Sequence, residues 1–154
     1  MRGLSLVRGA LLALVVVMLS GCGYNQIQSK DEATKAGWSE VLNQYKRRAD
    51  LIPNLVATVK GYAAHEAQVL TAVTEARAKV SQINVNADDA ASLAQYQAAQ
   101  GELSQALGRL MMVTEAYPNL KADQQFIGLQ TQLEGTENRV TVARGRYIQL
   151  VQDY

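Results

Sequence analysis

The chain has few cysteines, prolines and histidines: among its 154 residues there are one, two and one of these. A single cysteine excludes a disulfide within the chain. The scarcity of proline and of clustered β-branched residues favours a single all-α domain. One histidine is too few for a histidine-rich zinc site, and the sequence contains no phosphate loop or glycine-framed serine elbow. We therefore expect a protein that is not an enzyme and that holds neither metal nor cofactor.

A strong charge of one sign is also missing. The 15 basic side chains fall to 13 if residues 1–21, with Arg2 and Arg8, are removed, and they then face 14 acidic ones. The resulting net charge of −1 leaves no polybasic patch, so we expect no nucleic-acid partner. Electrostatic attraction to an anionic membrane would be weak.

The N-terminus carries a short apolar run, residues 10–19, behind a positively charged start. Ten residues are about half of what a bilayer-spanning helix needs. The following residues, Leu19-Ser20-Gly21-Cys22, resemble the lipobox of bacterial lipoproteins, whose cysteine is acylated and becomes the new N-terminus. We predict a lipoprotein-type signal peptide at 1–21, lipidation at Cys22 and a tether at 22–28. The alternative is an uncleaved N-terminal membrane helix.

Gly23 follows the lipobox cysteine, where lipoproteins retained in the inner membrane carry aspartate. By resemblance to that sorting rule, we expect an extracytoplasmic protein anchored in the cell envelope. In a bacterium with two membranes, this would be the outer membrane, with the protein facing the periplasm.

An apolar seam runs from Tyr24 to Ile83 in a single seven-residue frame. This period predicts long amphipathic helices packed against other helices. Ser29 and Glu32 have the spacing of a capping box, which predicts that the first regular helix begins at Ser29. Basic residues 46–48, then Asp50 and Pro53, predict a break between two helices. The alternative, which keeps the frame, is one long helix kinked at Pro53.

The rest of the chain predicts further helices. Residues 51–83 form the second, a turn at 84–89 precedes the third, and Tyr117-Pro118-Asn119 separates it from the last. Short connections favour an elongated antiparallel up-and-down four-helix bundle over residues 29–154. Gly135 suggests a close helix approach or a local bend. The predicted inward residues of the last helix are Phe126, Leu129, Leu133, Val140, Ala143, Tyr147, Leu150 and Val151.

Polar residues interrupt the seam or lie at its margins. Charges inside a bundle must be paired or neutralised, so these residues either form internal ion pairs or extend their side chains to water, or some of them mark a polar groove used by a partner. The candidate polar interaction positions are Arg48, Asp50, Glu66, Glu137 and Arg144. His65 is isolated and carries no metal prediction.

Several blocks of this sequence are similar to the LemA family: Gly23-Tyr24-Asn25, Trp38-Ser39-Glu40-Val41, Arg47-Arg48-Ala49-Asp50-Leu51-Ile52-Pro53-Asn54-Leu55-Val56, Val59-Lys60-Gly61-Tyr62-Ala63-Ala64-His65-Glu66, Tyr117-Pro118-Asn119-Leu120-Lys121-Ala122, Leu133-Glu134-Gly135-Thr136-Glu137-Asn138-Arg139 and Arg144-Gly145-Arg146-Tyr147-Ile148. The resemblance implies a membrane-anchored helical bundle outside the cytoplasm with no established enzymatic activity. Family members are often encoded near membrane metalloproteases, which implies a scaffold or adaptor in envelope maintenance.

Two features depart from that family pattern. Many members have a longer membrane helix where this chain has Cys22, and this chain stops at Tyr154, before the usual tail containing Phe-Pro. A second functional prediction is a bundle that binds a small ligand or peptide at the polar seam positions.

Overall fold

A computed structural model describes the backbone of residues 2–154 and the side chains of residues 8, 9, 11, 14 and 23–154. Every regular element in that part of the chain is a helix, so the predicted all-α class is confirmed. The helices are α1 (Arg2–Tyr62), α2 (Ala67–Gln82), α3 (Ala90–Thr114), α4 (Pro118–Lys121) and α5 (Gln124–Asp153). The side chain of Cys22, the predicted lipidation residue, lies outside the described residues, as do most side chains of the predicted signal peptide.

The first helix continues through Pro53, so the predicted break after residues 46–48 is wrong. Proline has no N–H, and it leaves the carbonyl of Ala49, four residues earlier, without its helical donor. Arg77 of α2 supplies a donor instead, with its Nε 2.9 Å from the Ala49 oxygen. The alternative of one long helix is correct because a neighbouring helix satisfies the group that proline exposes.

The same helix begins well before Ser29, so the predicted helix start there is wrong and residues 22–28 are helical. A capping box is a local preference, and no proline or glycine between Tyr24 and Ser29 ends the preceding helix. Residues 23–30, the α1 stalk, are all exposed, with Tyr24 at 71% and Ile27 at 59%. The seam therefore continues along a stretch of helix that the other helices leave uncovered.

A turn at residues 63–66 separates α1 from α2, so the prediction of one helix over 51–83 is wrong. The Ala63 oxygen accepts the Glu66 N–H at 3.0 Å, which closes the turn. Glu66 precedes α2 without a side-chain capping bond. Gly61 lies in the last turn of α1, but residues 63–66 contain neither glycine nor proline and the seven-residue frame passes through them without a shift, so the sequence carries only a weak signal for the turn.

The third helix follows the predicted turn and capping acids, but the last helix does not begin directly after residues 117–119 as predicted, because a short helix and a second cap precede it. Asp89 caps α3 by accepting the Ala91 N–H at 3.0 Å. Pro118 opens the short helix α4, as proline does in a first helical turn. Asp123 then caps α5, because its Oδ1 accepts the N–H groups of Gln125 and Phe126 at 2.8 and 3.0 Å.

Side-chain contacts give the direction in which neighbouring helices run. Lys30 donates to the Asp153 carbonyl and Tyr62 to Asp123, so α5 runs antiparallel to α1 from its capping residue to its last turn. Lys79 of α2 lies 2.7 Å from Glu102 of α3. The largest fully buried side chains, which form the core between these helices, are Phe126, Ile52, Leu55, Leu103, Leu110, Leu120, Val41, Val59 and Val73.

Most of the predicted inward residues of the last helix are buried or partly buried, but Val151 is 47% exposed. The close helix approach suggested for Gly135 is also wrong, since a Cβ there would meet nothing within 4 Å. The close approach occurs instead at Gly37, where a Cβ would lie 2.7 Å from Cδ1 of Leu150. Trp38, next to Gly37, packs its ring 5.2 Å from that of Tyr147.

Candidate functional site

Arg48 is a charged side chain in the interior, with only 4% of its surface exposed. Its Nη1 lies 2.9 Å from Ser104 Oγ, and its Nη2 donates to the backbone oxygen of Gln100 at 3.2 Å and to Gln100 Oε1. These acceptors are neutral and all belong to α3. The ion pairs among the described residues join other side chains on the surface, and none includes Arg48. The guanidinium therefore fixes α1 to α3 without a counter-ion.

Two tyrosine rings accompany this guanidinium. Arg48 Cζ lies 5.4 Å from the centre of the Tyr45 ring, a distance at which the ring attracts a cation. The Tyr96 ring meets the Tyr45 ring edge-on at 5.6 Å. Burial lowers the pKa of Arg48 and raises the pKa of Tyr96. In both cases burial disfavours the charged form of the side chain. Arg48 nevertheless remains protonated, because a guanidinium keeps its proton in proteins.

A polar cleft of about 270 Å³ opens beside Arg48, between α1, α3 and α5. Its lining residues are Tyr45, Arg48, Gln97, Gln100, Gly101, Ser104, Glu137, Val140, Thr141 and Arg144. Tyr45, Arg48, Gln100 and Val140 are buried and form its floor, whereas Glu137 and Arg144 are exposed and form part of its rim. The cleft thus combines two guanidinium groups, one carboxylate and several neutral hydrogen-bonding side chains.

The structure distributes the five candidate polar positions over three places. Arg48, Glu137 and Arg144 line the polar cleft. Asp50 is exposed and lines a different depression, between α1 and α5. Glu66 lies in the turn before α2. The five candidate positions therefore face different neighbours.

Gln100 and Ser104 belong to the polar cleft but were not among the predicted site residues. One signal could have found Gln100. It lies between Tyr96 and Leu103, where helical spacing places it with the buried residues of α3, and it is only 3% exposed. A glutamine at a core position needs a polar partner, and Arg48 was the unpaired candidate. Ser104 is exposed and has no comparable signal.

Two hydrogen bonds between tyrosines and carboxylates connect the turns near the C-terminal end of α1. Tyr62 donates its hydroxyl to Asp123 Oδ2 at 2.6 Å, and Tyr117 donates to Glu66 Oε1 at 3.0 Å. The bond to Asp123 raises the pKa of Tyr62, and the bond to Glu66 raises that of Tyr117. Both bonds are structural, because each connects a turn at one helix end to the residues that begin another helix.

The described residues contain no group of three His, Cys, Asp or Glu side chains arranged for a metal ion. His65 is exposed in the turn between α1 and α2. Among the described residues, no helix is sufficiently long and apolar to cross a membrane. The chemistry available in the polar cleft is hydrogen bonding and charge recognition by arginine.

The fold and this site define an all-helical protein with an open polar cleft above a buried arginine. The sequence matches the model of the LemA family over residues 37–154, which covers most of the chain, and this protein belongs to the LemA family. The family resemblance drawn from the sequence blocks is thereby confirmed. No curated protein matches the chain.

Proposed function

We propose that this LemA family protein is anchored to a membrane outside the cytoplasm through a lipid on Cys22, and that it is not an enzyme. It serves as a scaffold or adaptor that contacts other proteins of the cell envelope. The proposal includes an elongated antiparallel up-and-down bundle of α1, α2, α3 and α5. The contacts of Lys30 with Asp153 and of Tyr62 with Asp123, at opposite ends of α1 and α5, support the antiparallel pairing of these two helices.

The α1 stalk is the observation on which this proposal rests. Residues 23–30 form an exposed stretch of helix directly after Cys22, and the packing against α5 begins at Lys30. Eight residues of helix span about 12 Å at 1.5 Å per residue. A lipidated Cys22 would therefore hold the packed helices clear of the membrane surface, with their sides free for other proteins.

Lipidation is tested by feeding cells a fatty-acid analogue and recovering the labelled full chain. We expect label on the natural chain and on Ser20→Ala, which keeps a small residue before the cysteine. Cys22→Ala should carry no label and should retain residues 1–21, as the mass of the protein would show. An unlabelled natural chain of full length would contradict the lipid anchor and favour the uncleaved membrane helix.

The scaffold role is tested by photo-crosslinking in intact cells. Met112 and Val142 are suitable positions for the crosslinker, because they are 76% and 53% exposed. We expect the full chain to capture defined envelope proteins from at least one position, with a membrane metalloprotease as the specific candidate. Leu110 is fully buried and serves as the matched control on α3. Equal capture from the buried and exposed positions, or none, would contradict the proposal.

A second candidate function is the binding of a small ligand or peptide in the polar cleft. The observation that favours it is the convergence of Arg48, Glu137 and Arg144 on one open cleft. Helix bundles commonly place ligand sites between facing helices. This candidate is compatible with the anchored protein above, since the cleft lies outside the α1 stalk.

A further inference from the structure

We infer that the polar cleft binds a carboxylate group, with Arg48 at its floor as the principal donor and Arg144 at its rim. This inference rests on the second candidate function and specifies its ligand class. It does not depend on the lipid anchor or on any protein partner. Three observations lead to it: the missing counter-ion of Arg48, the unpartnered donors at the cleft floor, and the net charge of the cleft lining.

The first observation is that Arg48 is buried without an anion. Buried charges in proteins are normally paired, because desolvating an ion is costly unless an opposite charge lies beside it. Gln100 and Ser104 supply only neutral oxygens. Among the described residues, Arg48 forms no ion pair, and the exposed Glu137 carboxylate of the cleft rim acts on it only from beyond ion-pair distance. An anion entering the cleft would complete the pair.

The second observation is that the cleft floor has spare hydrogen-bond donors. Arg48 Nε and Gln100 Nε2 are both buried and have no partner within the described structure. Arg48 and Gln100 both line the cleft, and the Gln100 oxygens hold the guanidinium at its floor. The Nε–H of a guanidinium and a neighbouring Nη–H together form the fork that binds both oxygens of a carboxylate, so a carboxylate that displaces the neutral acceptors of Arg48 would use its unpartnered Nε.

The third observation is the balance of charge around the cleft. Arg48 and Arg144 contribute two positive charges and Glu137 one negative charge, so the lining has a net charge of +1. A carboxylate with a single negative charge matches that balance. A phosphate dianion would exceed it by one negative charge. The charge pattern therefore favours a carboxylate over a phosphate.

The inference is tested on the purified full chain in detergent by NMR of the arginine Nε–H groups, with the Arg48 signal assigned by its absence in Arg48→Lys. The probes are propionate, a free small acid, and N-acetyl-Ala-Ala, a peptide with a terminal carboxylate. N-acetyl-Ala-Ala amide is the neutral control. We expect saturable shifts of the Arg48 signal with at least one acid and none with the amide.

The two acids distinguish the source of the carboxylate. Binding of the peptide acid at least tenfold tighter than propionate would assign the cleft to a peptide terminus, and comparable affinities would assign it to a free organic acid. Inorganic phosphate is titrated in parallel. Tighter binding of phosphate than of either acid would overturn the assignment to a carboxylate.

Gly101 provides a way to block the cleft without removing its donors. It lines the cleft, and a Cβ there would meet nothing within 4 Å, so Gly101→Met should fold and fill the space. Gly108→Met is the matched control, since Gly108 is a second exposed glycine of α3 with equally open surroundings outside the cleft. We expect Gly101→Met to weaken acid binding at least tenfold and Gly108→Met to leave it unchanged. Equal weakening by both would contradict the site.

The variant Glu137→Gln distinguishes a bound carboxylate from a simpler alternative. In that alternative, the Glu137 side chain turns into the cleft and is itself the counter-ion of Arg48. If the cleft binds a carboxylate, removing the rim acid should strengthen binding severalfold and leave the thermal midpoint unchanged. A lower thermal midpoint without stronger binding would make Glu137 the internal partner and overturn the inference. The inference would also be overturned if neither acid shifted the NMR signal of Arg48. Lipid labelling and crosslinking remain independent of either result.

Discussion

Arg77 donates its Nε–H to the backbone oxygen of Ala49 across 2.9 Å, and thus takes the place of the N–H that Pro53 lacks. The contact joins α2 to α1 at the position where α1 would otherwise have an unsatisfied carbonyl. Proline in the interior of a helix commonly bends or ends it. Here a side chain from the next helix compensates, so the continuity of α1 depends on a residue 28 positions further along the chain.

This relationship predicts that the energetic effects of Pro53 and Arg77 are coupled. We expect Arg77→Met to lower the free energy of unfolding by about 1 kcal/mol, because the Ala49 oxygen loses a charged donor. Pro53→Ala should raise it by about 1–3 kcal/mol, since alanine restores the helical bond. In the Pro53→Ala background, Arg77→Met should cost measurably less. Urea unfolding of the full chain in detergent, followed by circular dichroism, measures all four proteins.

Equal costs of Arg77→Met in both backgrounds would contradict this account. Lys79→Met is a suitable control on the same helix, because Lys79 pairs with Glu102 on the surface and has no contact with Ala49. Its effect should be small and the same with proline or alanine at position 53.

The buried pair of Arg48 and Gln100 predicts a second coupling. Arg48→Met should lower the free energy of unfolding by about 1–3 kcal/mol, because Gln100 Oε1 is left buried without a donor. Arg48→Met combined with Gln100→Leu should recover most of that loss, since two apolar side chains of similar size replace two desolvated polar ones. A double-mutant cycle by urea unfolding measures the coupling. Strictly additive costs would show that the two side chains contribute separately.

Substitution of alanine at two glycines is predicted to stabilise the protein to different extents. Gly101→Ala should raise the free energy of unfolding by up to about 1 kcal/mol, because alanine favours the helix and its Cβ enters open space. Gly37→Ala should gain less, since its Cβ would lie 2.7 Å from Leu150 Cδ1 and that side chain must move. Thermal unfolding of the two variants beside the natural chain tests the contrast. An equal gain at both positions would show that Leu150 moves without cost.

The Tyr62–Asp123 bond predicts how stability changes at low pH. This bond, and those from Phe126 and Gln125, lower the pKa of Asp123 below its ordinary value of 3.8. The folded state therefore favours the carboxylate, and its contribution is present above pH 3.8 and disappears as pH falls through the lowered pKa. Asp123→Asn keeps a capping side chain but cannot ionise, so its thermal midpoint should lose this part of the acid dependence.

The same bond predicts the opposite dependence at high pH. The carboxylate of Asp123 raises the pKa of Tyr62 above its ordinary value of 10.0, so the folded state favours the neutral phenol. That contribution is present below pH 10.0 and is lost as pH rises toward the raised pKa. Tyr62→Phe should remove this alkaline decline, as thermal unfolding between neutral and alkaline pH would show. An unchanged decline in Tyr62→Phe would contradict it.

The sequence predicted the helical class and the burial of most core residues because both follow from the spacing of apolar side chains. It failed where a local signal competes with a distant contact. Asp50 and Pro53 form a convincing helix boundary by themselves, and only Arg77 in another helix explains why α1 continues. The turn at residues 63–66 was not predicted for a different reason, because none of these four residues has an unusual backbone preference.

The polar cleft was predictable only in part. Arg48, Glu137 and Arg144 could be selected as charges on or near an apolar seam, and the structure brings those three to one cleft. Asp50 and Glu66 met the same criterion and lie elsewhere, because heptad position does not determine which neighbouring helix a side chain meets. The relative rotation and register of α1, α3 and α5 decide that, and they arise from packing across the whole core.

The unbroken course of α1 also determines how far this protein reaches. The helix from position 22 to Tyr62 spans about 60 Å at 1.5 Å per residue, and it continues through Pro53 without a break. If the N-terminal end is held by lipid as proposed, the turns joined by Tyr62 and Asp123 stand at a fixed height above the bilayer. The molecule would then contact, through these turns, only those neighbouring proteins that extend to the same height above the bilayer.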